Sequence, residues 1–192
     1  MKIFFAGAAT FVTILGYIPY FRDLFRRKTQ PHIYTWLIWA ITLGTAVVAL
    51  LYGGGELGSV SLIAGFLFVV VVFFFSFKYG TKNITKSDTI MLVLALLAII
   101  IWWQLDSPLW AVIVISFVDG MGFVPTFRKT YVDPNSETLS FWILIALSNI
   151  LAMFANTQYN FLTMTYLGTM ALGNIIVITI ILSRKKTIPV GG

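Results

Sequence analysis

Asp119 is the residue of this chain whose type and position could do the most chemistry. It lies in the middle of the apolar stretch 108–127 and is flanked by Gly120 and Gly122. A charged carboxylate in an apolar environment carries a large free-energy cost. Such residues therefore usually face a cavity or a partner and mark the pathway of a substrate or an ion. Asp119 is therefore either a proton-coupling carboxylate or ligand anchor, or a structural carboxyl bonded to neighbouring hydroxyl groups or a helix end.

Two amides, Asn149 and Asn174, interrupt other apolar stretches. Such an amide either bonds helices together or lines the path of a solute, and both roles stay open here. His32 is the only histidine and there is no cysteine, so a haem or zinc site is not expected. The sequence has no phosphate-binding Gly-Lys loop and no catalytic constellation, so it predicts neither a cofactor nor an enzyme.

The composition excludes the common classes of soluble protein. Of the 192 residues, 59% are hydrophobic and 10% are charged, and the mean hydropathy is +0.92. A water-soluble domain of this size cannot bury so much apolar surface. This excludes an ordinary soluble enzyme, a disordered chain and, despite the net charge of +6, a nucleic-acid-binding domain. We expect an all-α integral membrane protein whose first partner is the lipid bilayer.

Seven apolar stretches could cross the roughly 30 Å hydrocarbon core as helices. The breaks between them are short and carry glycine, proline or charge, and Gly53-Gly54-Gly55 is expected to form one of the turns. None of these breaks could hold a soluble domain. The predicted spans are residues 3–21, 33–52, 57–77, 88–103, 108–127, 139–156 and 160–183.

The basic residues predict the orientation. The loops after spans 1, 3 and 5 share one face with the C-terminus, and this face carries every lysine and arginine except Lys2. By the positive-inside rule it is cytoplasmic, which predicts a multi-pass protein of the plasma (inner) membrane with its N-terminus outside. His32 and the six tryptophans are interpreted as interfacial residues. The tryptophans are Trp36, Trp39 and Trp142 near the cytoplasmic boundary, and Trp102, Trp103 and Trp110 near the outer one.

An internal repeat links the two halves of the chain. Residues 11–42 align without a gap with residues 117–148, at a constant offset of 106 residues. Apolar composition alone does not bring glycine, proline, arginine and tryptophan into register. The matched pairs include Gly16 with Gly122, Pro19 with Pro125, Arg22 with Arg128, and Trp36 with Trp142.

The repeat predicts seven transmembrane helices arranged as two three-helix repeats and a linker. Residues 1–86 form the first repeat, residues 87–105 the linker helix, and residues 106–192 the second repeat. Because the linker is a single span, the two repeats are parallel, and we expect a cleft between them near the midplane. The Gly-aromatic-aliphatic-Pro motif is expected to close the first helix of each repeat.

The paired prolines could also act as hinges in a conformational change. Pro19 and Pro125 each leave a carbonyl unpaired one turn earlier and loosen the helix locally. Their equivalent positions favour hinges for alternating access, and the other interpretation is a simple helix end. Gly16 and Gly122 would add either flexibility or close helix packing.

These features resemble the SWEET and PQ-loop superfamily over essentially the whole chain. The likeness rests on the 3+1+3 arrangement, the outside N-terminus, and a proline near the cytoplasmic end of spans 1 and 5. The Pro-Gln pair of that superfamily is Pro19-Tyr20 in one copy and Pro125-Thr126 in the other. The similarity is closest to small uncharacterised prokaryotic members.

The resemblance implies a SWEET-like transporter or facilitator that binds a small polar solute between the repeats. Asp119, Asn149 and Asn174 would then shape or couple the site. The tryptophan and asparagine of the superfamily's sugar site have no clear counterparts, so the resemblance does not imply the solute. The alternative is a non-transporting receptor or scaffold of the same fold, and association into a homo-oligomer is left open.

Overall fold

The computed structural model describes residues 1–52, 59–102, 104, 108–155, 159 and 161–187. Within these residues the chain forms seven α-helices and no strand, which confirms the predicted all-α class and the number of helices. Trp103 and the predicted turn at residues 53–55 lie outside the described residues. The helices are α1 (Lys2–Phe25), α2 (Ile33–Tyr52), α3 (Ser59–Tyr79), α4 (Lys86–Trp102), α5 (Pro108–Val132), α6 (Leu139–Ala155) and α7 (Phe161–Thr187).

Two of these helices continue through their prolines, so the expectation that the proline motif closes them is wrong. Pro19 lies inside α1, which ends at Phe25, and Pro125 lies inside α5, which ends at Val132. Proline lacks the N–H that would bond the carbonyl four residues earlier, so each helix loses one hydrogen bond there without ending. Neither proline is a simple helix end.

The chain leaves α1 through a left-handed residue. Arg27 has a φ of 57°, the backbone region that commonly ends helices. The Arg27 N–H donates to the Leu24 carbonyl at 3.0 Å, and the Lys28 N–H donates to the Asp23 carbonyl at 2.9 Å. These bonds satisfy carbonyls at the end of α1 and turn the chain towards α2.

Each group of three helices packs in the same way. Helix α3 contacts both α1 and α2, and α7 contacts both α5 and α6. Between the groups, α1 packs on α6 and α2 packs on α5, while α4 lies against α5 and α2. We call α1–α3 the first triplet and α5–α7 the second triplet. The connections 26–32, 80–85 and 133–138 define the basic end of the bundle.

Apolar side chains cover much of the described surface, and a few charged side chains lie inside. Phe4, Phe74 and Phe117 are 73%, 65% and 63% exposed, whereas Asp119 and Lys129 are buried. Two helical segments, Lys2–Phe25 and Met164–Lys186, are long and apolar enough to cross a membrane by length and composition.

Candidate functional site

A cavity of about 160 Å³ lies between the two triplets. Helices α1, α2, α3, α5, α6 and α7 all contribute to its wall. The wall is mainly aromatic and aliphatic, and no lysine, arginine, histidine or carboxylate is among its described lining residues. Four pairs of lining residues are separated by the repeat offset: Tyr17 and Phe123, Trp36 and Trp142, Trp39 and Ile145, and Leu43 and Asn149.

Both predicted amides lie in this wall. Asn149 comes from α6 and Asn174 from α7. The Asn174 amide nitrogen donates to the Met170 carbonyl at 2.6 Å, and its Oδ1 has no hydrogen-bond partner although the residue is buried. Asn174 therefore lies in the cavity wall, while its Oδ1 is enclosed by the protein and has no hydrogen-bond partner. An unpaired buried acceptor is costly unless a ligand or water satisfies it.

Asp119 lies behind the wall and is not one of the residues that line the cavity. Its Oδ1 accepts a 2.5 Å hydrogen bond from the Thr42 hydroxyl, and its backbone carbonyl accepts a 3.3 Å bond from the Trp39 indole. The carboxyl also interacts with the Tyr166 side chain, while Oδ2 has no partner with hydrogen-bond geometry. Trp39 and Tyr166 both line the cavity, so they connect Asp119 to it.

The bond from Thr42 to Oδ1 is the kind of bond that a purely structural Asp119 would make. This bond does not involve the other carboxylate oxygen, Oδ2. The Asp119–Thr42 contact joins α5 to α2, and the same positions in the other half are Thr13 and Ser148. The Thr13 and Ser148 hydroxyls are 2.6 Å apart and join α1 to α6. One half therefore carries a carboxyl where the other carries a hydroxyl.

The paired glycines lie where helices of different triplets cross. A Cβ added to Gly16 would meet Ile145 at 3.2 Å and Leu144 at 3.3 Å. A Cβ added to Gly122 would meet the Trp39 indole nitrogen at 2.9 Å and Ile38 at 3.2 Å. The partners Leu144 and Ile145 are again one repeat offset from Ile38 and Trp39. Close packing is thus the role that the contacts give these glycines.

Trp36, Trp39 and Trp142 are wall residues, so their interpretation as an interfacial belt is wrong. They are 2%, 5% and 2% exposed and belong to the central core. Helix α2 packs on α5 and helix α6 packs on α1, so each helix turns these tryptophans towards the other triplet. Trp110 is 55% exposed, and its place at a membrane interface stays a prediction.

An aromatic layer lies beside the cavity on the side of the basic end. The ring of Tyr20 lies 4.5 Å from Phe141 and 5.3 Å from Trp36, and all three side chains are buried. The equivalent of the Tyr20–Phe141 contact joins Thr126 to Thr35, whose hydroxyls are 2.9 Å apart. Both contacts use the residue that directly follows a helix proline.

A buried ion pair lies beyond this layer. The Lys129 ammonium donates to Glu137 and also to the carbonyls of Gln30 and Ser136. Glu137 in turn accepts a 3.0 Å bond from the Trp142 indole. The network ties the α1–α2 and α5–α6 connections together. Sequence reasoning counted Lys129 only as an orientation signal, and the carboxylate eight residues later was the available clue.

His32 is fully buried, so its interpretation as an interfacial residue is wrong. Its Nε2 lies 3.3 Å from Asp88, and Nδ1 has no hydrogen-bond partner. Asp88 also accepts two bonds from Arg128, at 2.9 and 2.6 Å, so the network joins the α1–α2 connection to α4 and α5. Burial lowers the pKa of His32 to about 4, against the opposing effect of Asp88.

The arrangement offers a small solute a mainly apolar cavity with hydroxyl and amide side chains in its wall and one buried carboxyl behind it. No protein-family model, no curated protein and no solved structure matches this chain.

Proposed function

We propose that this chain is a membrane transporter or facilitator that binds a small polar solute in the cavity between two parallel three-helix repeats. The observation that carries the proposal is the cavity wall, to which both triplets contribute residues at equivalent positions. A site shared by two repeats can be exposed to one side or the other when the repeats rock against each other. This is the mechanism that the resemblance to the SWEET and PQ-loop superfamily implies.

The proposal includes seven membrane-spanning helices. The apolar outer surface supports it, because exposed phenylalanines such as Phe74 and Phe117 suit contact with lipid tails better than contact with water. The basic residues support a cytoplasmic basic end and an outside N-terminus in the plasma (inner) membrane. Helices α1 and α7 are the two that meet the length and hydropathy requirement on their described residues.

Alternating access requires that one end be closed while the other opens. In the proposal, the Tyr20–Phe141 contact and the bond from Lys129 to the Gln30 carbonyl close the basic end. Pro19 and Pro125 act as hinges, since each weakens its helix one residue before the cross-triplet contact made by Tyr20 or Thr126. Parting of these contacts would open the cavity to the basic end.

The test is solute flux through proteoliposomes with a variant that fills the cavity. Gly65 lines the cavity, and a Cβ built there has nothing within 4 Å. Gly65→Phe therefore places a ring at the cavity wall, and its Cβ meets no neighbouring atom. Gly7 is the matched control because its Cβ also meets nothing within 4 Å and it is exposed on α1.

We expect saturable uptake of at least one solute from a panel of sugars, amino acids, vitamins, amines and short peptides. Gly65→Phe should abolish this uptake, and Gly7→Phe should leave it within twofold. Uptake that both variants retain would overturn the assignment of the cavity as the transport site. Complete absence of flux from folded protein would overturn transport.

A second candidate function is a receptor without transport. A polar pocket of about 550 Å³ at the basic end favours it. Arg27, Lys28 and Lys185 in its wall could hold an acidic partner, although the wall also contains the carboxylates of Asp23, Asp133 and Glu137. Binding of a partner at this pocket, without flux of any solute, would support the receptor over the transporter.

A further inference from the structure

The charges around the cavity narrow the class of solute, and this step rests on the proposed transport function. The described lining residues include no lysine, arginine, histidine or carboxylate. Asp119 lies one layer behind the wall, where its Oδ1 accepts the Thr42 hydroxyl and its Oδ2 is enclosed by the protein. A charged solute would therefore lose its hydration without meeting an opposite charge in the wall, which favours an uncharged solute.

The size of the cavity suits a single small ring. Its volume is about 160 Å³, and an engineered apolar cavity of about 150 Å³ in another protein binds benzene. Half-buried apolar side chains of both triplets line it and can cover such a ring. They include Leu43, Ile145, Ala152 and Met170.

Many polar groups of the wall are already bonded to the protein. The Ser148 hydroxyl donates to the Ala9 carbonyl at 2.9 Å, so its 2.6 Å contact with Thr13 uses the proton of the Thr13 hydroxyl. Three further side chains of the wall donate to protein acceptors: Trp39, Trp142 and Asn174. A sugar carries several hydroxyl groups, and most of them would stay unpaired against such a wall, at a cost in free energy for each.

The Asn149 amide is the polar group of the wall that is best placed to bind a solute. It is half-buried and makes no hydrogen bond with another described residue, and its atoms are not among the enclosed ones. A carboxamide has an acceptor oxygen beside a donor nitrogen, so two carboxamides can pair through both atoms. The hydroxyl oxygen of Thr13, bonded to the neighbouring Ser148, adds a half-buried acceptor from the first triplet.

We propose that the cavity takes an uncharged solute about the size of one six-membered ring, with a carboxamide or an equivalent group that places a donor beside an acceptor. The Asn149 amide pairs with that group, and the apolar side chains of the wall cover the ring. The proposal excludes ions and sugars from the class of solute.

Three probes with nearly one shape test the charge. Benzamide is neutral, benzoate is an anion and benzamidine is a cation at neutral pH. Equilibrium dialysis of the purified full chain in detergent measures the binding of each probe, with protein-free micelles as the blank. We expect benzamide to bind at least tenfold more tightly than either ion. Equal affinity for the three probes, preference for an ion, or no binding of benzamide would overturn the proposal.

The glycine variants of the transport test also locate the binding site. Gly65→Phe should abolish saturable binding of benzamide, because it places a ring at the cavity wall. Gly7→Phe, at an exposed position of α1, should leave the affinity within twofold. Benzamide affinity that Gly65→Phe retains would overturn the assignment of the cavity as the binding site.

A further variant tests the hydrogen bonds of the solute. Acetophenone carries a methyl group where benzamide carries its amide nitrogen, and the wild type should bind benzamide at least tenfold more tightly. Asn149→Leu keeps a similar volume, and Leu43 occupies the equivalent position of the other half. This variant should bind the two probes equally. A retained preference would overturn the role of Asn149, and this comparison within one variant does not depend on its stability.

Flux separates the solute class from the transport function. Benzamide that binds but does not cross proteoliposomes would overturn transport and leave the solute class standing. Saturable flux of a sugar or an ion, without benzamide binding, would overturn the solute class and leave transport standing.

Discussion

The hydroxyl of Thr42 donates a 2.5 Å hydrogen bond to Oδ1 of Asp119, at the position where Ser148 meets Thr13 in the other half of the molecule. Both bonds join helices of different triplets. The hydroxyl pair is neutral, and its two residues line the cavity, whereas Asp119 lies one layer behind it. The two halves thus share a contact but differ in charge, so any coupling role of this contact belongs to Asp119.

Replacement of Asp119 by asparagine should separate the role of the titratable carboxyl from the role of its hydrogen bond to Thr42. Asp119→Asn keeps an oxygen that accepts the Thr42 bond, so we expect a melting temperature within about 2–4 °C of the wild type, which corresponds to about 1 kcal/mol in a chain of this size. Uptake should be lost or should lose its dependence on a pH gradient, because the side chain no longer exchanges a proton.

Thr42→Val is the matched control for this experiment, since it removes the same hydrogen bond but keeps the carboxyl of Asp119. It should retain pH-dependent uptake. Unchanged pH-dependent uptake in Asp119→Asn would refute a proton-coupling role and leave the carboxyl as a structural group.

Gly122→Ala should destabilise the crossing of α5 and α2. The new Cβ would lie 2.9 Å from the Trp39 indole nitrogen, so this ring must shift and its bond to the Asp119 carbonyl must lengthen. Overpacking of this kind costs about 1–3 kcal/mol. Thermal unfolding in detergent measures the loss.

Gly7→Ala provides the comparison, because its Cβ meets nothing within 4 Å and alanine is the better helix former. We expect no loss of stability, and a gain of up to about 1 kcal/mol. If Gly122→Ala were as stable as Gly7→Ala, close packing would not explain the glycine at position 122.

The repeat offset predicted more of the site than local pattern did. Gly16 and Gly122 make equivalent contacts because the same helix crossing occurs twice, and the offset is readable in the sequence. It also pairs the cavity residues Trp36 and Trp142. Their burial was not predictable, because a tryptophan near a helix end faces either lipid or a partner helix, depending on rotation of the helix about its axis.

The polar groups of the basic end were missed for a related reason. Pattern reasoning ended the fifth span at the proline motif and placed Lys129 in a loop. Helix α5 instead continues to Val132, which carries Lys129 inward against Glu137. The Asp119–Tyr166 contact joins α5 to α7, and no alignment of the repeat covers α7. Contacts of this kind depend on tertiary packing rather than on spacing.

Removal of the Lys129 ammonium should be costly because it leaves Glu137 charged and buried. Lys129→Met is expected to lower the free energy of unfolding by about 3–5 kcal/mol, whereas Lys129→Met combined with Glu137→Leu should recover part of that loss. Urea or thermal unfolding of the two variants measures the difference.

Arg22→Met is the surface control for this pair. Arg22 bonds Asp23 at 2.9 Å, but its side chain is 55% exposed. An exposed pair contributes little to stability because water and salt screen it, so this variant should unfold nearly as the wild type does. A double variant of the buried pair that is less stable than Lys129→Met alone would contradict the argument from the uncompensated charge.

His32 should make the free energy of unfolding decrease as the pH is lowered from neutral to 5. Its pKa is lowered by burial from 6.5 to about 4, and the charged groups that face it are Asp88, Arg128 and Lys129. Above pH 6.5 both the folded and the unfolded chain carry a neutral histidine, so the residue adds no pH dependence. Between 6.5 and 4 the unfolded chain gains a proton that the folded chain does not, so the free energy of unfolding decreases as the pH falls.

From pH 7 to pH 5 this difference amounts to roughly 2 kcal/mol. His32→Gln keeps an amide that can donate to Asp88 but does not titrate. From pH 7 to pH 5, the free energy of unfolding of this variant should therefore fall by roughly 2 kcal/mol less than that of the wild type. Carboxylates titrate in both proteins and cancel in the comparison. Melting curves of the two proteins at four pH values between 5 and 7 measure the effect. Parallel curves would mean that His32 keeps its ordinary pKa in the folded chain, and that its buried contact with Asp88 opens in solution.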